Sequence, residues 1–253
     1  MTGLLIVLAS MVAVAAAIRS IWSPCGLSML STITPLGESG RRNRWSVTAA
    51  WFIAGAVLGG ATLGVGAAVL AAGVALVDLP VGDALGLVAP LAAVAIASDL
   101  GLGGFRLPAH TRQVNEAWLD QYRSWVYGGA FGWQIGVGLA TYVTTAAVYL
   151  MLALAALTAS PLAAFLIVAG FGLLRGLAVL LGARLTSPQR LMDLHRRLAE
   201  LLPTAQRAVV LVEVVVLAVV VAVTWGLVPG VILGLGAGAA GVVRGARLVG
   251  QPG

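Results

Sequence analysis

Residues 46–77 read SVTAAWFIAGAVLGGATLGVGAAVLAAGVALV, a run with no charged side chain anywhere in it. A helix crossing the ~30 Å hydrocarbon core of a bilayer needs about 20 apolar residues, and this run exceeds that. In lipid every backbone N–H and C=O must be satisfied within the chain, which leaves helices or a closed barrel. Barrel strands alternate apolar and polar residues over about ten positions. Here the apolar character is continuous, so the run is a helix. Gly55 and Gly59, four residues apart, put two side-chain-free positions on one face and invite close approach by another helix.

Outward from this run the same pattern repeats. Upstream, 3–36 is apolar apart from Arg19 and is punctuated by Pro24 and Pro35. As one helix it would be about 50 Å long. Proline cannot donate to the preceding turn, so a break is expected at Pro24. Downstream, Asp78, Pro80 and Asp83 mark a turn before a third span at 84–102. Further spans are expected at 128–157, 161–183 and 208–227, and 230–243 reads as a short seventh helix or a re-entrant segment. Two polar connectors have amphipathic character that suits helices lying in the interface. In 103–127, Val114, Trp118, Tyr122 and Trp125 recur at helical spacing; in 188–202, Leu191, Leu194, Leu198 and Leu201 oppose Arg190, Arg196 and Arg197. The expected fold is an all-α integral membrane protein of six to seven transmembrane helices. It divides into a first half at 1–102, a connector at 103–127, a second half at 128–227 and a tail at 228–253.

Composition agrees. Of 253 residues 60% are hydrophobic and 9% charged, against about 25% charged in ordinary soluble domains; mean hydropathy is +1.02. The pI near 10.7 does not signal nucleic-acid binding. All 15 basic residues are arginine and most sit in short connectors between apolar runs. Positive loops stay cytoplasmic. Arginines 41, 42 and 44, then 106, 112 and 123, then 184, 190, 196, 197 and 207, and finally 244 and 247 all follow odd-numbered spans, which predicts an N-terminus outside. The first apolar run has no basic n-region and reads as a membrane segment rather than a cleaved signal. The expected location is a bacterial plasma membrane, with lipid as the surrounding partner and no nucleic acid.

Ionisable groups within spans are expensive and are default functional candidates. Four stand out: Arg19, Asp99, Arg175 and Glu213. The predicted topology puts the last three in the cytoplasmic half, where Arg175 can pair with Glu213 or Asp99. Two readings stay open: an ion pair locking helices together, or a path for a solute or proton in which Ser23 and Gln134 also take part. The lone Cys25 excludes an intramolecular disulfide and a multi-cysteine metal site. It is either a small buried hydrophobe or a thiol made reactive by Pro24 and the nearby cation Arg19. His110 and His195 are too far apart to suggest a metal centre. No metal or cofactor is expected.

The Ser23-Pro24-Cys25 element, the Arg41-Arg42-Asn43-Arg44 run and the glycine-rich helix after it resemble the CcdA/DsbD family of cytochrome c biogenesis and thiol–disulfide transport membrane proteins. Gly129-Ala130-Phe131-Gly132-Trp133 is similar to the start of that family's second cysteine helix, and Ala205-Gln206-Arg207 to the approach to its last helix. The resemblance implies an inverted repeat of three plus three helices with one redox cysteine in each half. Trp22 to Ser28 laid against Trp133 to Ala140 agrees with such a repeat. Gln134, Ile135 and Gly136 stand where the second Pro-Cys belongs, so the pattern is degenerate. One thiol forms a mixed disulfide but cannot resolve it.

The resemblance implies thiol-redox transfer or cytochrome c maturation with a thioredoxin-like protein or another membrane subunit as partner, Cys25 being the candidate thiol. The competing expectations are a small-solute or ion transporter on the same scaffold and a non-catalytic subunit of a membrane complex. None of these makes the chain an enzyme beyond a thiol-exchange component.

Overall fold

The computed structural model describes residues 2–108 and 117–225. The 230–243 segment and His110 lie outside them. All regular structure among the described residues is helical. In order, the helices are α1 (Thr2–Arg19), α2 (Pro24–Thr32), α3 (Pro35–Gly40), α4 (Trp45–Leu76), α5 (Val81–Asp99), α6 (Trp118–Gln121), α7 (Ser124–Val137), α8 (Ala147–Leu157), α9 (Pro161–Leu177) and α10 (Pro188–Trp225). Five segments are long and apolar enough to cross a membrane: Thr2–Trp22, Trp45–Leu76, Gly82–Asp99, Pro161–Arg184 and Pro188–Trp225. The chain is an all-α, multi-pass membrane protein.

Three expected spans differ in detail, each for a local reason. The span expected at 128–157 is two helices, α7 and α8, separated by a non-helical stretch that begins at Gly138 with φ 74°. Residues 139–146 carry three threonines, whose β-branched hydroxyl side chains are weak helix formers. The 161–183 span ends as α-helix at Leu177 and tightens into a 3₁₀ segment, Ala178–Arg184. The interfacial helix at 188–202 and the span at 208–227 are one continuous helix, α10, of 38 residues, which runs through Pro203. Among the described residues of the aromatic connector, the four-residue α6 stands directly before α7.

The expected break near Pro24 is present. Arg19 ends α1, a 3₁₀ turn covers Ser20–Trp22, and α2 starts at Pro24. Four helices open the same way. Ser23 accepts from Gly26 N–H at 3.0 Å, Thr34 from Gly37 N–H at 3.0 Å, Ser160 from Ala163 N–H at 3.4 Å and Ser187 from Arg190 N–H at 3.4 Å, each followed directly by proline. The hydroxyl caps an orphan N–H, and proline at the first helical position loses no bond.

Glycine contacts hold α4 at the centre, with its most extensive packing against α7 and α9. A Cβ on Gly55 or Gly59 would collide with the Gly129 or Trp133 carbonyl, and one on Gly132 or Gly136 with the Phe52 or Ala56 carbonyl. A Cβ on Gly60 would lie 2.8 Å from Gly172 Cα. With little hydrophobic drive between helices in lipid, this close backbone approach supplies the dispersion that binds them.

The buried apolar residues form two main clusters. One joins α1, α5, α8, α9 and the membrane part of α10 through residues such as Leu8, Leu85, Met151 and Val216. The other joins α2, α7 and the beginning of α4 with Val179 and Leu198. The breaks at Ser20–Ser23, at Gly138 and at Ala178 all fall in stretches that carry buried polar side chains, among them Arg19, Thr141, Thr145 and Arg175.

Candidate polar centres of the membrane domain

Asp99 is the last residue of α5, and its carboxylate accepts from the Ala146 N–H at 2.6 Å and from the Thr145 hydroxyl. Ala146 is the cap residue of α8, and Thr145 Oγ1 in turn accepts from Ala147 N–H at 3.2 Å. The carboxylate therefore sits at the N-terminus of α8, where the exposed N–H groups and the helix dipole favour negative charge. Arg19 and Arg106 both lie within electrostatic reach of it. Arg19 is 8% exposed, and its Nη1 has no hydrogen-bond partner among the described residues. Together with Thr144 and Gln206 these groups line a cavity of about 160 Å³.

Glu213 lies on α10 and is not among the residues that line this cavity. It is fully buried, and neither of its carboxyl oxygens has a partner among the described residues. The charge it faces is that of Asp99, a like charge. Leaving a carboxyl buried and unbonded costs several kcal/mol whatever its protonation, so its persistence there has no packing rationale.

Arg175 stands apart from both acids. No ion pair joins it to Glu213 or Asp99 among the described residues. Its guanidinium lies 5.4 Å from the centre of the Phe171 ring, a cation–π contact. The open backbone at Gly138 gives it room: a Cβ there would come within 3.1 Å of Arg175 Nη1. Arg175, rather than Arg19, is the cation within electrostatic reach of Cys25. Cys25 is buried in the first turn of α2, between the capping Ser23 and the second apolar cluster. Gln134 is half-buried on α7 and joins neither group. The six polar candidates and the thiol Cys25 thus divide into Arg19 with Asp99 and Glu213, Arg175 near Cys25 and its neighbour Ser23, and Gln134 apart.

A third centre escaped sequence reasoning. Glu38 on α3 is fully buried. Tyr127 Oη donates to its carboxylate at 2.7 Å, Thr48 Oγ1 at 2.7 Å and Arg41 Nη1 at 3.3 Å. Asn43 donates to the Tyr127 hydroxyl at 3.1 Å. The network ties α3, α4 and α7 together. Its signal in the sequence was Thr34-Pro35, which starts a short helix that turns Glu38 inward from what otherwise reads as an arginine-rich connector. His195 is half-buried and meets Ser31 Oγ at 3.2 Å.

No protein-family model matches the chain, and no solved structure matches it. It is similar to curated proteins named methylamine utilization protein MauF. The chain is 33% identical to that of Methylophilus methylotrophus over 189 residues, which is 71% of this chain and 62% of the relative. Identity to the Paracoccus denitrificans protein is 35% over 175 residues, 68% of this chain and 62% of the relative. For Paracoccus versutus it is 32% over 168 residues, 66% and 61% respectively. The chain thus spans about three fifths of the length of these curated relatives. These similarities overturn the CcdA/DsbD resemblance and with it the expectation of thiol-redox transfer or cytochrome c maturation. The names speak neither for a solute transporter nor for a silent subunit. The structure supplies the physical reason the resemblance misled: Ser23-Pro24 is one of four hydroxyl–proline helix starts among the described residues, and a helix cap is a local folding signal. What the chain is similar to is stretches of 161–189 residues in five MauF proteins.

Proposed function

We propose that this chain acts in methylamine utilisation as a multi-pass protein of the bacterial plasma membrane. The observation that carries the reading is the similarity of at least 31% identity to five curated MauF proteins, from at least four genera, over 60–71% of this chain. The relatives' names assign them to methylamine utilisation; the rest is this chain's own chemistry.

Its N-terminus lies outside, and the arginine-bearing connectors face the cytoplasm. The two halves, 1–102 and 128–227, form a pseudo-repeat. Supporting this, the leading helix of each half is interrupted, α1 from α2 at Ser20–Ser23 and α7 from α8 at 138–146. Interrupted helices at corresponding places are a common mark of a functional level within a membrane protein. Glu213 is the residue on which activity most depends, because a buried carboxyl with no partner is maintained at a cost to stability, and Arg19 and Asp99 act with it as ionisable groups held within the spans.

Deleting the gene in its own host tests the reading. Growth with methylamine as the sole nitrogen source is expected to fail while growth on ammonium continues, and the wild-type chain is expected to restore it. Undiminished growth of the deletion strain on methylamine would sink the proposal. Alkaline phosphatase fused after Asp78 is expected to be active, and after Arg44 inactive; the reverse pattern overturns the orientation.

A further inference from the structure

Arg19 belongs to two cavities at once. On one side is the polar chamber of about 160 Å³ it shares with Arg106, Thr144 and Gln206. On the other is an apolar groove of about 570 Å³ between α1 and α10, walled by residues such as Ile6, Met11, Val14, Ala208 and Val212 and ending at Arg19. From Ile6 to Arg19 the groove follows α1 for about 20 Å at 1.5 Å per residue. That exceeds the ~15 Å depth of one leaflet's hydrocarbon, half of a ~30 Å core.

The two ends differ in what they still need. Among the described residues Asp99 has both oxygens engaged, by Thr145 and by the Ala146 N–H. The guanidiniums have not spent their donors. Arg19 Nη1 is buried without a partner, and so is Thr144 Oγ1. Arg106 is exposed at the mouth of the chamber, with no hydrogen bond among the described residues. Two guanidiniums, each with five N–H donors in a planar fork, therefore face one carboxylate that is already served. Glu213 does not line the chamber. A planar fork suits an oxyanion, to which it donates two parallel bonds. An oxyanion at the head of a leaflet-deep apolar groove is the anatomy of an anionic lipid.

We infer that the α1–α10 groove and the chamber beside it form one binding site for an anionic phospholipid. The acyl chain lies along α1 from Arg19 toward Ile6, and the headgroup phosphate is held by Arg19 and Arg106 with help from Thr144. The site stands independently of the role in methylamine utilisation. Basic pockets on the cytoplasmic side of helix bundles are suited to such headgroups, and the predicted topology places Arg106 there.

Native mass spectrometry and thermal unfolding of the full chain in a neutral detergent, after delipidation, test this. Phosphatidylglycerol is expected to bind saturably and to raise the melting temperature, with phosphatidylcholine at least tenfold weaker. Arg106→Gln, at an exposed position that does not threaten folding, is expected to remove that preference. Arg19→Gln is expected to remove it too. Val14→Trp, which fills the groove, is expected to weaken both lipids alike. Equal binding of the two lipids by the wild-type chain overturns the proposal. So does a preference that survives Arg106→Gln, and so does stabilisation that inorganic phosphate alone reproduces. A wild-type chain to which no lipid binds overturns it as well.

Discussion

Two glutamates are fully buried among the described residues, and they are opposites. Glu38 receives hydrogen bonds from Tyr127, Thr48 and Arg41, whereas Glu213 has no partner for either oxygen among the described residues and faces another acid. A buried carboxylate with its lone pairs filled and a cation beside it ties elements together, because removing it strands its partners. A buried carboxyl without partners only costs stability. Its presence points to a role that folding does not explain. The same composition thus conceals a lock and a liability.

The largest effect is expected at Glu38. Glu38→Ala removes the acceptor of the buried Thr48 hydroxyl and the acceptor to which Tyr127 Oη donates, and strips Arg41 of its buried counter-charge; a loss of about 3–5 kcal/mol is expected, read as a lower melting temperature in detergent. Glu213→Leu is expected to do the reverse. Replacing an uncompensated buried carboxyl with an apolar side chain of similar size is expected to raise stability by about 1–4 kcal/mol, while growth on methylamine is lost. If the Leu variant melts lower than the wild type, the two glutamates are not opposites. Next comes Thr145→Val, which removes one donor to Asp99 and is expected to cost about 1 kcal/mol in a denaturant titration. The smallest effect is expected at Cys25. Cys25→Ala shortens one small buried side chain, at about 1 kcal/mol or less, and growth on methylamine is expected to continue; failure to grow would give that thiol a role beyond packing.

The sequence made the gross architecture legible because the signals that set it are long. Apolar runs report spans, and clustered arginines mark connectors. Gly55 and Gly59 foretold the close approach that α7 makes to α4. Pro24 foretold the first break, because proline acts locally. The second break was not legible, since 138–146 is too apolar for a window of span length to register; it took the left-handed φ of Gly138 to reveal it. Among site residues, a search for charges inside spans found Arg19, Asp99, Arg175 and Glu213 but paired them wrongly. Pairing depends on which face each helix presents, and that is decided by glycine packing rather than by depth. Glu38 was missed for the converse reason: six residues of helix turned a connector acid into a buried one. The Ser-Pro-Cys element misled because a helix cap and a redox motif share their first two letters.

The glycine seams on α4 also set a schedule. Its packing partner α7 begins at Ser124 and α9 at Pro161, well after α4 ends at Leu76. At roughly 5–20 residues per second, synthesis reaches the start of α9 on the order of 4–17 s later. Until α7 and then α9 follow, the newly inserted α4 presents to lipid the small-residue face that each will cover. A ribosome stalled before α7 would therefore leave in the membrane a helix that is inserted but unassembled, the kind of intermediate on which membrane quality control acts.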